Sequence, residues 1–462
     1  MTADAVRPAR AVVVGGGLAG TTAALELADA GVSVTLLEGR PRLGGLAFSF
    51  QRGGLTVDNG QHVYLRCCTA YRWFLDRVDG AALAPLQDRL DVPVLDVAPA
   101  GGPRLGRLRR SGLPVPLHLA RSLATYPHLS LAERASVGRA ALALKGLDLA
   151  DPSLDDTDFA SWLRAHGQSD RTIEALWDLV GVATLNATAP HASLGLAAMV
   201  FKTGLLSEAG AADIGWARVP LGDLHDTLAR KALDAAGVRT ELRARVAGVG
   251  RAADGSWRVE TDGETLEADA VVLAVPQREA HALLPEGALD APDGLLEIGT
   301  SPILNVHVVY DRKVLRRPFF AALGTPVQWV FDRTESSGLQ GGGQYLALSQ
   351  SAADDDIDQP VSVLRERYLP ELERLLPATR GAGVRDFFVT RERTATFAPT
   401  PGVGRLRPGA RTRIPGLCLA GAWTATGWPA TMEGAVRSGL SAAGAVLATL
   451  GRTHDHPLQE AA

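Results

Sequence analysis

Gly15, Gly17 and Gly20 stand at the spacing G-x-G-x-x-G inside AVVVGGGLAG, residues 11–20. Four apolar, mostly β-branched residues run into the first of them, and the Ala-rich stretch 21–30 follows the last. The pattern predicts strand, turn and helix. In that geometry Gly15 permits the tight turn, and Gly17 lets main chain approach a pyrophosphate seated on the helix N-terminus, where Leu18 and Ala19 begin the first turn. Gly20 lets helix and strand pack closely. A second apolar run, residues 32–37, ends in Glu38, at about the spacing, roughly 20 residues, where an acid holds the ribose hydroxyls of an adenine dinucleotide.

The rest of the chain has to carry that turn and whatever it holds. At 462 residues it exceeds one small core, and two domains joined by several chain crossings are expected. Hydrophobic residues make up 46% and charged residues 21%, the balance of an ordinary folded protein. The net charge of −4 lacks the basic footprint of a nucleic-acid binder, so no nucleic acid partner is expected. Cys67, Cys68 and Cys418 have neither metal nor redox spacing, which fits a reducing cytoplasm and no metal site. The opening MTADAVRPAR has no apolar signal core. No stretch reaches the roughly 18 consecutive apolar residues of a membrane span. The expectation is a cytoplasmic protein, at most peripheral at the inner face of the cell membrane.

Along the chain, Tyr71, Phe74, Leu75 and Val78 recur at helical spacing and predict a helix over 60–80. From residue 81 the pattern loosens into short strands and turns. Residues 103–145 then set Arg104, Arg107, Arg109, Arg110, Arg121, Arg134, Arg139 and Lys145 against Glu133 alone, among many leucines. Such a segment suits either an anionic membrane face or a solvated helix pair. A capped amphipathic helix is read at 157–167, and helical patterns at 171–182 and 192–206 complete an apolar helical region. Residues 216–250 read as a helix followed by strands, with a hairpin turning on Asp262-Gly263 and a buried strand within 268–276. Alternating runs at 303–310, 327–331, 345–349 and 384–391 predict an antiparallel sheet, with a helix at 361–376. Residues 416–450 read as strand, Gly-rich turn and helix, whose start near Met432 offers a second N-terminus to a negative group.

Four further strings carry a resemblance. Residues 40–48 read RPRLGGLAF, residues 57–62 VDNGQH, residues 268–276 ADAVVLAVP, and residues 430–439 ATMEGAVRSG. Taken in order with the N-terminal turn, they resemble the flavoprotein family of amine oxidases and carotenoid-type desaturases. That resemblance implies an α/β fold: a Rossmann-like FAD-binding domain with an inserted α+β substrate domain containing a helical subdomain and an antiparallel sheet. The FAD-binding domain would comprise 1–80, 216–276 and 401–450, the substrate domain 81–215 and 277–400, and a tail 451–462. FAD contacts are implied at Gly15, Gly17, Leu18, Ala19, Gly20, Glu38, Gly39, Arg40, Gly44, Gly45 and Leu46. Others are implied at Asn59, Gly60, Gln61, His62, Val246, Gly421, Ala422, Thr431 and Met432. Pro220 and Gly222 stand in part of the turn that precedes the family's next helix.

Departures from the family narrow the reading. Amine oxidases usually place an aromatic where Thr431 stands and tend to carry a lysine, holding a water at the flavin N5, where Asn305 aligns. The covalent-flavin cysteine is not evident, so the FAD is expected to be non-covalent. An acid often found in the last loop is here Ala422, with Glu433 nearby. VDNGQHV, Leu185-Asn186 followed by Ala192-Ser193, and TGWPATMEGAVRSG resemble the hydroxysqualene dehydroxylase branch of hopanoid biosynthesis. This implies reduction of a long-chain isoprenoid allylic alcohol: its hydroxyl is protonated and lost, and hydride comes from reduced flavin. His62 is the first choice for the acid and Asp58 the second, although His62 reads equally as a flavin or backbone contact and Asp58 as a turn residue. A separate electron donor or reductase is expected, since no second dinucleotide turn occurs. Two alternatives stay open, a carotenoid-type desaturase or isomerase and a non-catalytic flavin-binding partner of a terpene-synthesis assembly.

Overall fold

A computed structural model describes residues 8–98 and 102–452; of the tail read at 451–462, everything from 453 onward lies outside the described residues. The first predicted strand, turn and helix form as Arg10–Val14, the glycine turn and Leu18–Asp29. Arg10–Val14 is the centre of a five-stranded parallel sheet in the order Leu417–Leu419, Ala270–Leu273, Arg10–Val14, Ser33–Glu38, Arg239–Leu242. Its strands come from three separated stretches of chain. All but the polar edge strand Arg239–Leu242 are largely apolar runs, because both faces are covered, as a parallel sheet requires. The last helix, Met432–Thr449, crosses the first closely: a Cβ at Gly439 would lie 2.3 Å from the Ala19 carbonyl oxygen.

A seven-stranded sheet builds the other half, ordered Val384–Phe397, Thr300–Tyr310, Gln344–Ser351, Trp329–Asp332, Phe319–Leu323, Asp91–Asp96, Arg104–Arg109. The expected antiparallel sheet is therefore a mixed one. Phe319–Leu323 runs parallel to Asp91–Asp96, a pairing between segments over 200 residues apart that local alternation cannot reveal. The helix Val361–Leu375 packs on this sheet through Leu364, Tyr368 and Leu372.

Helices Phe159–Ala165, Asp178–Leu185 and Leu194–Phe201 form a third layer whose core holds Phe159, Trp177 and Phe201 in mutual ring contact. Asp158 caps the first of them through Ser161 N at 2.8 Å. Asn186, with φ of 56°, ends the second in a left-handed cap. Its amide donates to the Ser301 carbonyl and Thr396 Oγ1 and accepts from Ala352 N, tying the helices to the large sheet.

Two expectations fail locally. Residues 60–68 are not helical: Val63–Leu65 is a strand paired with Ile214–Trp216, and the helix is confined to Thr69–Arg77. The alternating Val63, Tyr64 and Leu65 follow the period of a strand, and this pairing overrides the helical spacing downstream. The basic stretch 103–145 is also less isolated than its sequence suggests, since Arg107 and Arg109 meet Asp91, and Arg110 meets Asp213. It nonetheless leaves Leu105, Leu113, Leu117, Leu131 and Leu142 exposed. No helix among the described residues is long and apolar enough to cross a membrane.

Candidate functional site

The glycine turn is built by exclusion of side chains. Gly15 has φ of 107°, and a Cβ on Gly20 would fall 1.9 Å from the Gly15 carbonyl oxygen. Gly17 stands at the N-cap of Leu18–Asp29 with no side-chain cap and no acid in the first turn. The N–H groups of Leu18, Ala19 and Gly20 consequently have no intrahelical acceptor and remain available to an anion. Glu38 receives Gly16 N and Arg40 N, each at 2.7 Å, which fixes its carboxylate beside the turn. Gly39 lies against Arg245, and Ala244 N bonds the Glu38 carbonyl, so the segment leading into Val246 runs along the same edge.

Gly44 and Gly45, with φ of 92° and 56°, bring a second backbone loop onto the first. A Cβ on Gly45 would sit 2.9 Å from Gly17 Cα, and Gly44 N donates to the Gly16 carbonyl. His225 supports this loop from below: its Nδ1–H donates to the Ala47 carbonyl at 3.0 Å, and its Nε2 accepts from the Tyr71 hydroxyl at 2.8 Å. Burial lowers the His225 pKa to about 4, so the ring is neutral. Leu46 is exposed beyond the doublet.

The VDNGQH loop gathers the titratable groups. Asn59 knits the loops together: its Oδ1 accepts from Phe48 N, and its Nδ2 donates to the Leu46 carbonyl and the Glu392 carboxylate. Its carbonyl accepts from Asn305 Nδ2 and from Thr390 Oγ1, both at 3.0 Å. Behind Thr390 a directed chain runs back through His307 to the Tyr345 hydroxyl. Burial pulls the His307 pKa down to about 3.

Asp58 and His62 have different surroundings. Asp58 accepts from Ser49 Oγ at 2.6 Å and Leu221 N at 2.9 Å, and pairs with Arg333 at 2.6 Å. A carboxylate so engaged serves the architecture. Half-buried His62 donates from Nδ1 to the Gly60 carbonyl at 3.2 Å, because a carbonyl can only accept. Its Nε2 therefore carries a lone pair in the neutral ring. Burial lowers the His62 pKa, against the Gly60 carbonyl and Asp58, which favour the charged ring.

His62, Gln61, Asp58 and Arg333 share a recess with Val63, Trp216, Ala217, Leu221 and Phe331. Aromatic rings form one side: Phe331 packs against Trp329 and Phe319, and Phe319 meets Trp216 edge-on at 5.4 Å. Arg218 covers one face of Trp216. Arg333 is the least legible member. It donates to the Ala217 and Val219 carbonyls as well as to Asp58, yet in sequence it is one arginine after a strand.

The third loop is held from within. Arg407, buried among apolar residues, donates to the carbonyls of Ala422, Trp423, Thr424 and Trp428. Burial lowers its pKa to about 10. Gly421, with φ of 144°, has its N–H on Ser438 Oγ. Thr431 caps the last helix by accepting from Gly434 N, and Met432 opens that helix. Glu433 bonds Ala70 N, Tyr71 N and Arg437, capping Thr69–Arg77. That role is distinct from replacing an acid at Ala422.

A flavin fits these residues on two independent observations. The glycine-to-glycine contact of the first two loops leaves a cradle that any Cβ would fill. In addition, a buried acceptor, Asn305 Oδ1, and a buried donor, Gln61 Nε2, have no hydrogen-bond partner among the described residues beside the VDNGQH loop. The first two backbone loops thus form a glycine-lined groove at the N-terminus of Leu18–Asp29, and Asn59 ties the doublet loop to the VDNGQH segment that borders the recess.

Comparison with known proteins agrees. The profile of the family described as flavin containing amine oxidoreductase matches residues 18–447. A hydroxysqualene dehydroxylase of Rhodopseudomonas palustris is 31% identical over 94% of this chain and 98% of its own. One from Sinorhizobium fredii is 28% identical over 94% and 98%. The zeta-carotene desaturase of a Synechocystis strain is 25% identical over 96% and 98%. Among solved structures, a putrescine oxidase triple mutant superposes with a TM-score of 0.73 at 20% identity, over 96% of this chain and 99% of the other. The chain is a flavin-dependent oxidoreductase and belongs to the flavin containing amine oxidoreductase family, alongside the hydroxysqualene dehydroxylases.

Proposed function

We propose that this protein binds FAD non-covalently and reduces an allylic alcohol of a long-chain isoprenoid, converting hydroxysqualene to squalene. The observation that carries the reading is the recess itself. An ionisable imidazole shares it with the rings of Trp216 and Phe331, and among its described lining residues the one carboxylate, Asp58, is tied down by Arg333, Ser49 and Leu221. Loss of water from an allylic alcohol leaves a delocalised cation. Aromatic faces stabilise such a cation without capturing it, whereas a free carboxylate would take its proton or bond to it.

Reduced flavin, when bound, supplies the hydride. The protein's own residues do the rest. In the neutral ring, His62 Nε2 accepts the substrate hydroxyl's hydrogen and orients it, with Gln61 Nε2 as donor to the same oxygen. Protonation of His62 turns Nε2 into the acid that releases water. Because burial disfavours that charged form, the imidazolium is a stronger acid than an exposed one, and kcat/KM for dehydroxylation rises as pH falls below 6.5. A His62→Gln variant loses that dependence. Asp58 positions the loop and gives no proton.

The substrate is drawn from a membrane. Leu105, Leu113 and Leu117 are exposed in the same segment as exposed Arg109 and Arg121, a combination that attracts an anionic bilayer surface. Leu113→Asp with Leu117→Asp lowers binding to anionic liposomes and spares flavin content. Cytoplasmic placement and a separate electron donor complete the proposal. Its test is anaerobic: photoreduce the purified holoprotein, add hydroxysqualene, and follow flavin absorbance with squalene by mass spectrometry. Reoxidation matched one-to-one by squalene supports it. Bleaching of the oxidised flavin by a polyene, with no response of the reduced flavin to the alcohol, transfers the protein to the desaturases.

A further inference from the structure

Asn305 sits in the middle of Thr300–Tyr310 and is fully buried. Its Nδ2 donates to the Asn59 carbonyl at 3.0 Å, and Thr390 Oγ1 donates to the same oxygen at 3.0 Å. A carbonyl oxygen has two lone pairs, and both are thereby used. Rotating the amide by half a turn would set Oδ1 against that oxygen, two acceptors with no hydrogen between them. The amide is therefore locked with Oδ1 as its free end, and Oδ1 can only accept.

No partner for Oδ1 exists among the described residues. A buried acceptor left unpaired costs about 1–3 kcal/mol, so its natural complement is an N–H or O–H brought by a ligand. At the other end of the amide the loop is bare of side chain: a Cβ on Gly60 would lie 3.5 Å from Asn305 Nδ2 and 3.3 Å from His62 Cε1. The amide and the imidazole thus border one spot on the loop, Gly60, whose neighbours Gln61 and His62 line the recess. The ring atom that delivers hydride has to face that recess.

We propose that Asn305 Oδ1 accepts the N5–H of reduced flavin and so biases the cofactor towards its reduced form. This rests on the flavin reading of the site and not on the identity of the substrate. Oxidised flavin offers a bare lone pair at N5, which a locked acceptor repels. Two-electron reduction places a hydrogen there, which the same acceptor bonds. An acceptor with unequal affinity for two states shifts the equilibrium by that difference. A bond to N3–H, which is present in both states, would shift nothing.

The test is a redox titration of purified holoprotein, wild type against Asn305→Leu. Loss of one such hydrogen bond lowers the ratio of reduced to oxidised flavin about tenfold, or ~30 mV in the midpoint potential of a two-electron couple. Thr390→Val removes the other donor to the Asn59 carbonyl while leaving Oδ1 in place, and its potential stays at the wild-type value. An unchanged potential in Asn305→Leu overturns the proposal, as does an equal drop in both variants, which would trace the effect to a loosened carbonyl. Should Asn305→Leu fail to retain flavin, wild-type protein reconstituted with ¹⁵N5-labelled flavin decides. The reduced N5 resonance moves downfield of free reduced flavin if its hydrogen is bonded, and an unshifted resonance refutes the bond. A protein that shows the potential shift but converts no isoprenoid alcohol would refute the reaction and leave this inference intact.

Discussion

The glycine-lined groove and the recess beside His62 are made of different material. The groove is main chain: Gly15, Gly17, Gly20, Gly44 and Gly45 matter for the side chains they lack. The recess is side chain: His62, Gln61, Arg333, Trp216 and Phe331 come from three distant segments and matter for what they carry. A backbone site tolerates no added atom at Gly20 or Gly45, because both already stand within contact of other main chain. A side-chain site tolerates exchange and pays only in rate. Substitutions in the two should therefore separate flavin retention from turnover.

The largest effect is expected in the groove. Gly20→Ala forces a Cβ to within 1.9 Å of the Gly15 carbonyl oxygen, so the turn must open. The variant should purify without flavin absorbance and lose about 3 kcal/mol of stability in denaturant unfolding. Next comes Arg407→Met, which strips the donor from four carbonyls of the 421–428 loop. A cost of roughly 2–4 kcal/mol, seen as a lower Tm and weaker FAD binding, places this buried arginine with the groove.

Phe331→Leu tests the other side of the comparison. It keeps apolar bulk but removes a ring from the recess, so FAD content should stay at the wild-type level while kcat falls about 30-fold, the size of one desolvated cation–π contact. Phe331→Tyr should restore most of it. Equal flavin loss in Phe331→Leu would erase the distinction between the two regions.

A smaller, graded effect comes from acid. His225 and His307 are held neutral, with pKa values lowered from 6.5 to about 4 and about 3. Between pH 6.5 and those values the unfolded chain binds protons that the folded one does not, so stability rises with pH in that window and is lost as pH falls. Each histidine contributes a slope of about 1.4 kcal/mol per pH unit. Replacing His225 by Gln should lower stability at pH 7 and flatten the fall of Tm below pH 6.5.

What the sequence made legible follows the same division. Glycines at fixed spacing announce a backbone conformation, so the turn, the doublet and the last helix start near Met432 were readable locally. Four of the five parallel strands followed from short apolar runs, whereas the polar edge strand Arg239–Leu242 was legible only as a strand following a helix. Partnerships across the chain were not readable. Nothing near Arg333 or Arg407 signals burial, and nothing in Asn186 announces that its amide spans three elements. The parallel join of Phe319–Leu323 to Asp91–Asp96 and the pairing that turned 63–65 into a strand have the same origin. The hairpin Ser49–Arg52 and Leu55–Asp58 is a different case: its Gly53-Gly54 turn, with both φ values positive, was a local signal that went unread.

The central claim is that the recess beside His62 performs a reductive removal of hydroxyl. The most direct measurement is a single anaerobic turnover in D₂O: holoprotein photoreduced and exchanged in D₂O, mixed with one equivalent of hydroxysqualene, and the product weighed by mass spectrometry. The account predicts squalene carrying one deuterium at the former carbinol carbon, formed in step with flavin reoxidation and slowed in Phe331→Leu. Squalene without deuterium, or flavin reoxidation without squalene, would contradict it.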